Sequence, residues 1–142
     1  MSLSYIPQEL RRLVYERAAD CCEYCLIPEK AVLFAHQIDH IIAEKHGGLT
    51  QADNLALSCA ICNKYKGSDI ASLDDNEVVA LFHPRRQHWD EHFQLQEAEI
   101  VPLTAHGRVT VKLLQLNRFE RVAERRLLMR AGVINENKLM GR

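Results

Sequence analysis

The sequence predicts an α+β fold, built of short helices and strands pinned together by four cysteines. Three observations carry this expectation. Cys22 and Cys25 form one C-x2-C pair and Cys59 and Cys62 a second, so four thiols recur at matched spacing. Helical periodicity marks both ends of the chain, over residues 7–19 and 117–131, whereas the middle offers only short alternating or unpatterned runs. A length of 142 residues, 47% hydrophobic and 26% charged, suits one globular domain with one core. The expected organisation is a single domain over 1–142, with a core at 20–70 and a C-terminal extension at 77–134 packed upon it.

Taken in order, Pro7 suits a first helical turn, where its missing N–H costs nothing. Leu10, Leu13, Val14 and Ala18 share one face of that helix, and Arg11, Arg12 and Glu16 lie elsewhere. The helix reads as a cap over the first cysteine turn, and no pattern supports a phosphate contact by Arg11 or Arg12. Val32, Leu33, Phe34 and Ile38 predict a strand ending near Asp39-His40, where a sheet fixes the backbone while side chains reach a cleft. Residues 44–53 form a loop punctuated by Gly47-Gly48. Leu55 and Leu57 alternate as a second strand, and Cys59 to Lys66 forms a short helix carrying Asn63.

Beyond that core, Asp74-Asp75-Asn76 is a turn, Val78 to Phe82 is an extended run ended by Pro84, and Phe93 to Leu103 is a hairpin broken at Glu97-Ala98. Residues 105–116 fit a strand, through alternating Val109, Val111 and Leu113, or one helical face, through Val109, Leu113 and Leu116; the helix is preferred. Asn117 with Glu120 resembles a capping box for a last helix, which Gly132 stops. Phe119, Val122, Ala123 and Leu127 line its apolar face. Arg121, Arg125, Arg126 and Arg130 read as a solvated basic face rather than a DNA contact.

No apolar run approaches the roughly 20 residues of a membrane span, and Met1-Ser-Leu-Ser-Tyr-Ile-Pro has no leader pattern. A cytoplasmic setting is therefore expected, where paired C-x2-C spacing argues for metal rather than disulfides. Each pair aims two sulfurs from one tight turn, so Cys22, Cys25, Cys59 and Cys62 together complete a tetrahedral structural Zn2+ site with no open position for chemistry. The fifth cysteine, Cys21, reads as a buried inert thiol, with exchange of ligand roles with Cys22 as the alternative. A formal net charge of −1 argues against a DNA-coating protein, yet leaves room for an enzyme with a local cationic groove.

Asp39-His40 after an apolar run, Gly47-Gly48, Asn54-Leu55 and Cys59-x2-Cys62-Asn63-x2-Lys66 resemble the HNH endonuclease family in its His-Asn-Asn variant. Phe82-His83-Pro84-Arg85 and Trp89-x2-His92-Phe93 extend the resemblance to longer, zinc-knuckle-containing bacterial HNH proteins. The resemblance implies a ββα-metal core, hydrolysis of DNA, in double-stranded form, and products with 5′-phosphate and 3′-hydroxyl ends. Pattern alone gives only short mixed elements around zinc.

Phosphodiester hydrolysis needs an activated water and a stabilised leaving oxygen. A histidine of ordinary pKa is substantially neutral at pH 7 and accepts a proton, so His40 is the expected general base. Asp39 and Asn63 offer the oxygen ligands that suit a catalytic Mg2+ or Mn2+. Asn54 is expected to anchor the loop and orient His40, Lys66 to neutralise phosphate as the resemblance implies, and Arg85 to contact phosphate. Each residue also has a bland reading: Asn63 as a helix cap, Lys66 as a C-terminal helix cation, Asp39-His40 as a surface or satisfied core pair. Their joint placement between the cysteine pairs favours chemistry. His36 falls on the His40 side of the strand, with assistance and a structural role equally open. His46, His83, His88 and His92 stand near the site or the Arg85 cluster without a fixed role, Trp89 reads as core rather than a base-stacking ring, and His106 has no pattern around it. The competing functions are a catalytically silent zinc-stabilised binding module for nucleic acid or protein, and, with least support, a dithiol redox protein.

Overall fold

A computed structural model describes residues 5–134; the first four residues of the stretch read for a leader, and the end of the chain after 134, lie outside that range. Helix α1 (Gln8–Ala18) starts directly after Pro7 and ends where Ala19 adopts a left-handed conformation. Val14 and Ala18 are buried with Ile6 against Leu55 and Leu57. The helix thus lies on the second strand of the core and not over the first cysteine turn, as its pattern alone suggested. Its apolar stripe faces the nearest unpaired sheet face, and that face belongs to Leu55 and Leu57.

Strands β1 (Gln37–His40) and β2 (Leu55–Ser58) pair antiparallel, Gln37 opposite Ser58 and His40 opposite Leu55. Helix α2 (Ala60–Lys66) follows at once, with Cys59 at its N-cap accepting from the Cys62 N–H at 3.4 Å. The order strand, loop, strand, helix matches expectation, but β1 is shorter than the sequence suggested. Leu33 and Phe34 point outward, 98% and 74% exposed, while Val32 packs against the cysteine-containing core. The reason is pairing: β2 ends at Ser58 because Cys59 must turn into the helix, so residues before Gln37 have no strand to join.

The extension begins earlier than the sequence indicated. Strands β3 (Ala71–Asp74) and β4 (Glu77–Ala80) form a hairpin through Asp75 and Asn76, both at positive φ. Its first strand, Ala-Ser-Leu-Asp, carries little apolar signal; it is half-buried against a later helix, with its one large apolar residue, Leu73, exposed. Helix α3 (Trp89–His92) leads into β5 (Phe93–Gln96) and β6 (Glu99–Pro102), joined at Glu97-Ala98 as expected. Helix α4 (Ala105–Leu114) is capped by Thr104, and Gly107 lets it approach so closely that an added Cβ would lie 2.3 Å from the His92 carbonyl oxygen. Helix α5 (Phe119–Arg130) closes the described chain. Among the described residues no helix is long and apolar enough to cross a membrane.

One apolar cluster joins the cysteine turns to the extension: the four cysteines, Tyr24, Leu26, Phe82, Trp89, Phe93, Ile100, Val109 and Leu114 are all members. Trp89 packs against Phe93 and donates its indole N–H to the Tyr24 carbonyl at 3.0 Å. The Trp89 ring is therefore core, worth about 1.5–3 kcal/mol through the burial of a large apolar side chain.

Two readings of the last helix are corrected. Asn117 does not cap it; Arg118 occupies the N-cap without a side-chain bond. Asn117 instead takes the Ile100 N–H on Oδ1 and gives Nδ2–H to the Ile100 carbonyl, both at 2.8 Å, sealing the outer edge of β6. The basic face is not wholly solvated either, because Arg121 and Arg125 are buried while Phe119 and Leu127 are 85% and 65% exposed. Arg125 donates to the Ala98 and Leu116 carbonyls at 2.6 and 2.9 Å. Buried carbonyls that end the hairpin and α4 need donors, and guanidinium forks supply them. Arg126 and Arg130 remain exposed.

Asn117→Ala should cost about 1–3 kcal/mol, because the buried Ile100 amide and carbonyl lose both partners at once. Glu120→Ala should change stability by less than about 0.5 kcal/mol, since its pairing with Arg118 is at the surface. Urea denaturation of the two variants measures the contrast.

Candidate functional site

Four sulfurs form the first site. The Sγ atoms of Cys22, Cys25, Cys59 and Cys62 lie within 4.8 Å of one another, all four residues are buried, and Cys25 and Cys59 sulfurs are 3.6 Å apart. A tetrahedral zinc with bonds near 2.3 Å requires sulfur–sulfur edges of about 3.8 Å. The site fits a structural zinc. Backbone N–H groups of Tyr24 and Cys25 point at the Cys22 sulfur at 3.4 and 3.5 Å, as the turn demands. Cys21 lies outside the cluster and is half-buried, pairing through its backbone with Pro28, so Cys22 takes the ligand position.

A residue that the sequence did not flag completes this site. Arg121 reaches from α5 to the Cys62 sulfur at 3.0 Å and the Cys59 sulfur at 3.8 Å, while donating to the Leu114 carbonyl at 2.8 Å. Burial opposes its charge, but the Cys62, Cys25 and Cys59 sulfurs outweigh that and hold the guanidinium above its ordinary pKa. Burial likewise pushes the Cys22 and Cys62 thiols up, so four adjacent thiolates need compensating positive charge. Arginine provides part of it and ties the extension to the cysteine turns.

The second site is a cleft of about 950 Å³ between α1, β1, the loop after β1 and α2, lined by Asp39, His40 and Asn63 together. Asp39 is buried. Its Oδ2 takes the Tyr24 hydroxyl at 3.0 Å and pairs with Lys66 Nζ at 3.0 Å. Burial raises the Asp39 carboxyl above its ordinary range, against the opposing pull of Lys66 and Tyr24. Because both contacts fall on Oδ2, Oδ1 is the oxygen available to the cleft. Asn63 gives its Nδ2–H to Gln37, two residues before Asp39 on the same face of β1, which leaves the Asn63 carbonyl oxygen for a ligand. The donor set of one carboxylate and one amide oxygen suits a hard divalent cation.

His40 Nε2 lies 2.9 Å from Thr50 Oγ1 and 3.4 Å from Glu44 Oε1. A neighbouring carboxylate favours the tautomer with its proton on Nε2, leaving the lone pair on Nδ1. Nδ1 is buried and has no protein partner. Such an orphan is satisfied by a water or a ligand.

Asn54 acts at a distance from the ring. Its Oδ1 takes the Ile42 N–H at 2.8 Å, and its Nδ2 donates to the Ile42 and Leu49 carbonyls, each at 2.9 Å. It ties both limbs of the loop together, while Thr50 and Glu44 hold the imidazole that Asn54 was expected to orient. Gly48 makes this closure geometrically feasible: a Cβ there would lie 1.7 Å from the Ile42 carbonyl oxygen and 2.8 Å from Asn54 Nδ2.

The two cations expected to meet phosphate do not line the cleft. Lys66 is 2% exposed and, besides Asp39, contacts the His40 and Ile41 carbonyls at 3.3 and 3.1 Å. Arg85 pairs with Glu23, whose carboxylate also accepts the Leu57 N–H. Each is held inward by a carboxylate that would otherwise be buried unpaired. Of the remaining histidines, His36 lines the cleft but its Nε2 is set 2.9 Å from the Ile27 carbonyl, His46 joins the Ser68 carbonyl at 3.0 Å, and His106 joins the Ala80 carbonyl at 2.8 Å. His83 accepts the Arg85 N–H at 3.2 Å, His92 pairs with Thr104 at 2.6 Å, and His88 is exposed before α3.

Sequence reasoning missed Gln37, Thr50, Glu44, Tyr24 and Arg121. Strand alternation offered Gln37, and the i to i+4 offset offered Glu44. Nothing local marked the others.

Residues 22–69 match the HNH endonuclease family model. No curated protein and no solved structure matches the chain. The matched HNH segment contains both cysteine pairs, Asp39, His40, Asn54, Asn63 and Lys66. It suggests nuclease activity and implies a nucleic-acid substrate; α1, Arg85 and Arg121 lie outside it.

Two outcomes check this geometry. Gly48→Ala should destabilise the protein by about 1–3 kcal/mol or more, as overpacking against rigid backbone does, with thermal unfolding as the readout. Arg121→Met should retain one zinc per chain yet release it to a chelator about 10–100-fold faster, the usual scale for losing an outer-shell partner.

Proposed function

We propose that this protein is a metal-dependent endonuclease that hydrolyses DNA phosphodiester bonds, double-stranded DNA being the expected substrate. The observation that carries the reading is the meeting of Asp39, His40 and Asn63 in one cleft within the HNH segment. His40 is the general base: Thr50 and Glu44 fix the ring through Nε2, and the unpartnered Nδ1 takes a proton from the attacking water. Asp39 Oδ1 and the Asn63 amide oxygen are the protein ligands for Mg2+ or Mn2+. A divalent ion bound there supplies charge neutralisation for the leaving 3′-oxygen and the transition state. Tyr24 and Lys66 hold the Asp39 carboxylate in one orientation, and Gln37 does the same for Asn63, so the pocket is set before substrate arrives. Hydrolysis in this sense gives 5′-phosphate and 3′-hydroxyl ends. The four-thiolate zinc is structural and takes no part in the step.

A catalytically silent binding module is the second reading. The observation on its side is that Asp39 is 6% exposed and already neutralised by Lys66.

Nicking of supercoiled plasmid with Mg2+ or Mn2+, against an EDTA control, separates the two. Wild type should nick only with the ion, His40→Ala should be about 10²–10⁴-fold slower, and Asn63→Ala should need a higher ion concentration. Equal nicking by His40→Ala would remove the imidazole from the mechanism, and DNA binding without ion-dependent cleavage would establish the binding module.

A further inference from the structure

With Lys66 and Arg85 held inward, the cleft must draw its positive charge from elsewhere. Its lining contains three other cations from three separate elements: Arg11 of α1, Lys45 of the loop and Lys64 of α2. All three side chains are exposed. The ion pairs His40–Glu44, Lys66–Asp39, Arg85–Glu23, Arg108–Asp74 and Arg118–Glu120 involve none of the three. Two are tethered without losing charge. Arg11 donates Nε–H to the Ile6 carbonyl at 3.2 Å, a bond that does not use its terminal nitrogens, and the Lys64 ammonium stands 5.8 Å from the Tyr65 ring centroid. The same cleft carries the carboxylates of Asp39 and Glu44, of which Asp39 is neutralised by Lys66.

We propose that Arg11, Lys45 and Lys64 form a phosphate clamp across the cleft, so that α1, outside the matched segment, is part of the DNA-binding surface. This rests on the endonuclease reading. A polyanion entering a cleft that contains two carboxylates needs local cations, and the protein's formal net charge of −1 supplies no general attraction. Cations from three elements lining one cleft hold the backbone at several phosphates and set the scissile phosphate over β1, between Asp39 and Asn63. Contacts of this kind position the backbone and carry no base information. The clamp therefore binds without regard to sequence, and its affinity is strongly salt-dependent.

The test uses the full zinc-loaded chain carrying His40→Ala, with no Mg2+ or Mn2+ added, with binding of a fluorescent duplex and of one of its single strands followed by anisotropy from 50 to 200 mM salt. Each of Arg11→Ala, Lys45→Ala and Lys64→Ala should weaken binding and reduce the slope of log K against log salt by about 0.9 on duplex or about 0.7 on the single strand. Arg11→Lys should restore most of the slope. Arg12→Ala, exposed on the same helix but off the cleft, should leave it unchanged, and circular dichroism should show all variants folded. Slopes unaltered in the three variants, or altered equally by Arg12→Ala, would overturn the clamp. Plasmid nicking by wild type alongside unaltered slopes leaves the nuclease standing without the clamp. Altered slopes without any nicking leave the clamp standing without the nuclease.

Discussion

Four sulfurs buried in one place are the constraint on which the rest of this structure depends. Thiolates crowded in a dry interior repel one another and resist ionisation, so the arrangement is tenable only with a cation at its centre and further positive charge around it. The fold answers that requirement twice. A tetrahedral hole fits zinc, and Arg121 arrives from the far end of the chain to lie against Cys62. The same sulfurs sit inside the main apolar cluster, where Trp89 and Phe93 of the extension meet Tyr24. Metal binding and closure of the hydrophobic core are therefore one event, as expected where ligand and core residues alternate along a turn.

The cleft is built outward from that anchor. Cys59 ends β2 and caps α2, which fixes Asn63 one helical turn beyond the sulfur. Tyr24, between the first two cysteines, reaches Asp39 on β1. Lys66, at the end of α2, closes the triangle by pairing with the same carboxylate. Asp39 and Asn63 are thus each referred to the sulfur cluster through at most one intermediary. The loop beyond β1 is held separately, by the Asn54 amide and by a position where only glycine fits.

Much of the core was legible in the sequence, because its determinants are local. C-x2-C spacing specifies a turn, Leu55-x-Leu57 a strand, and Asn63 follows Cys62 on a helix that the cysteine itself caps. Glu97-Ala98 was legible for the same reason, whereas residues 105–116 fit a strand or a helix and only their packing decides for the helix. What local patterns could not reveal were polar residues used as internal partners. Arg121, Arg125, Lys66 and Arg85 look like surface charges in a sequence window, yet each meets an acceptor 7 to 62 residues away. Asn117 resembles a cap because its backbone context does, and only the neighbouring hairpin edge gives its amide another use. Apolar residues before Gln37 suggest a longer strand, but pairing begins only at Gln37 opposite Ser58, where β2 ends.

The hydroxyl of Tyr24 has a consequence for how the molecule would fail. Cys22 and Cys25 flank it in the chain, so any shift of that turn is transmitted by one rigid ring to the carboxylate at the bottom of the cleft. An oxidant or alkylating agent that strips a single sulfur from the cluster would displace that ring together with the core it packs in, making the cysteine turn an involuntary fuse for the cleft it supports.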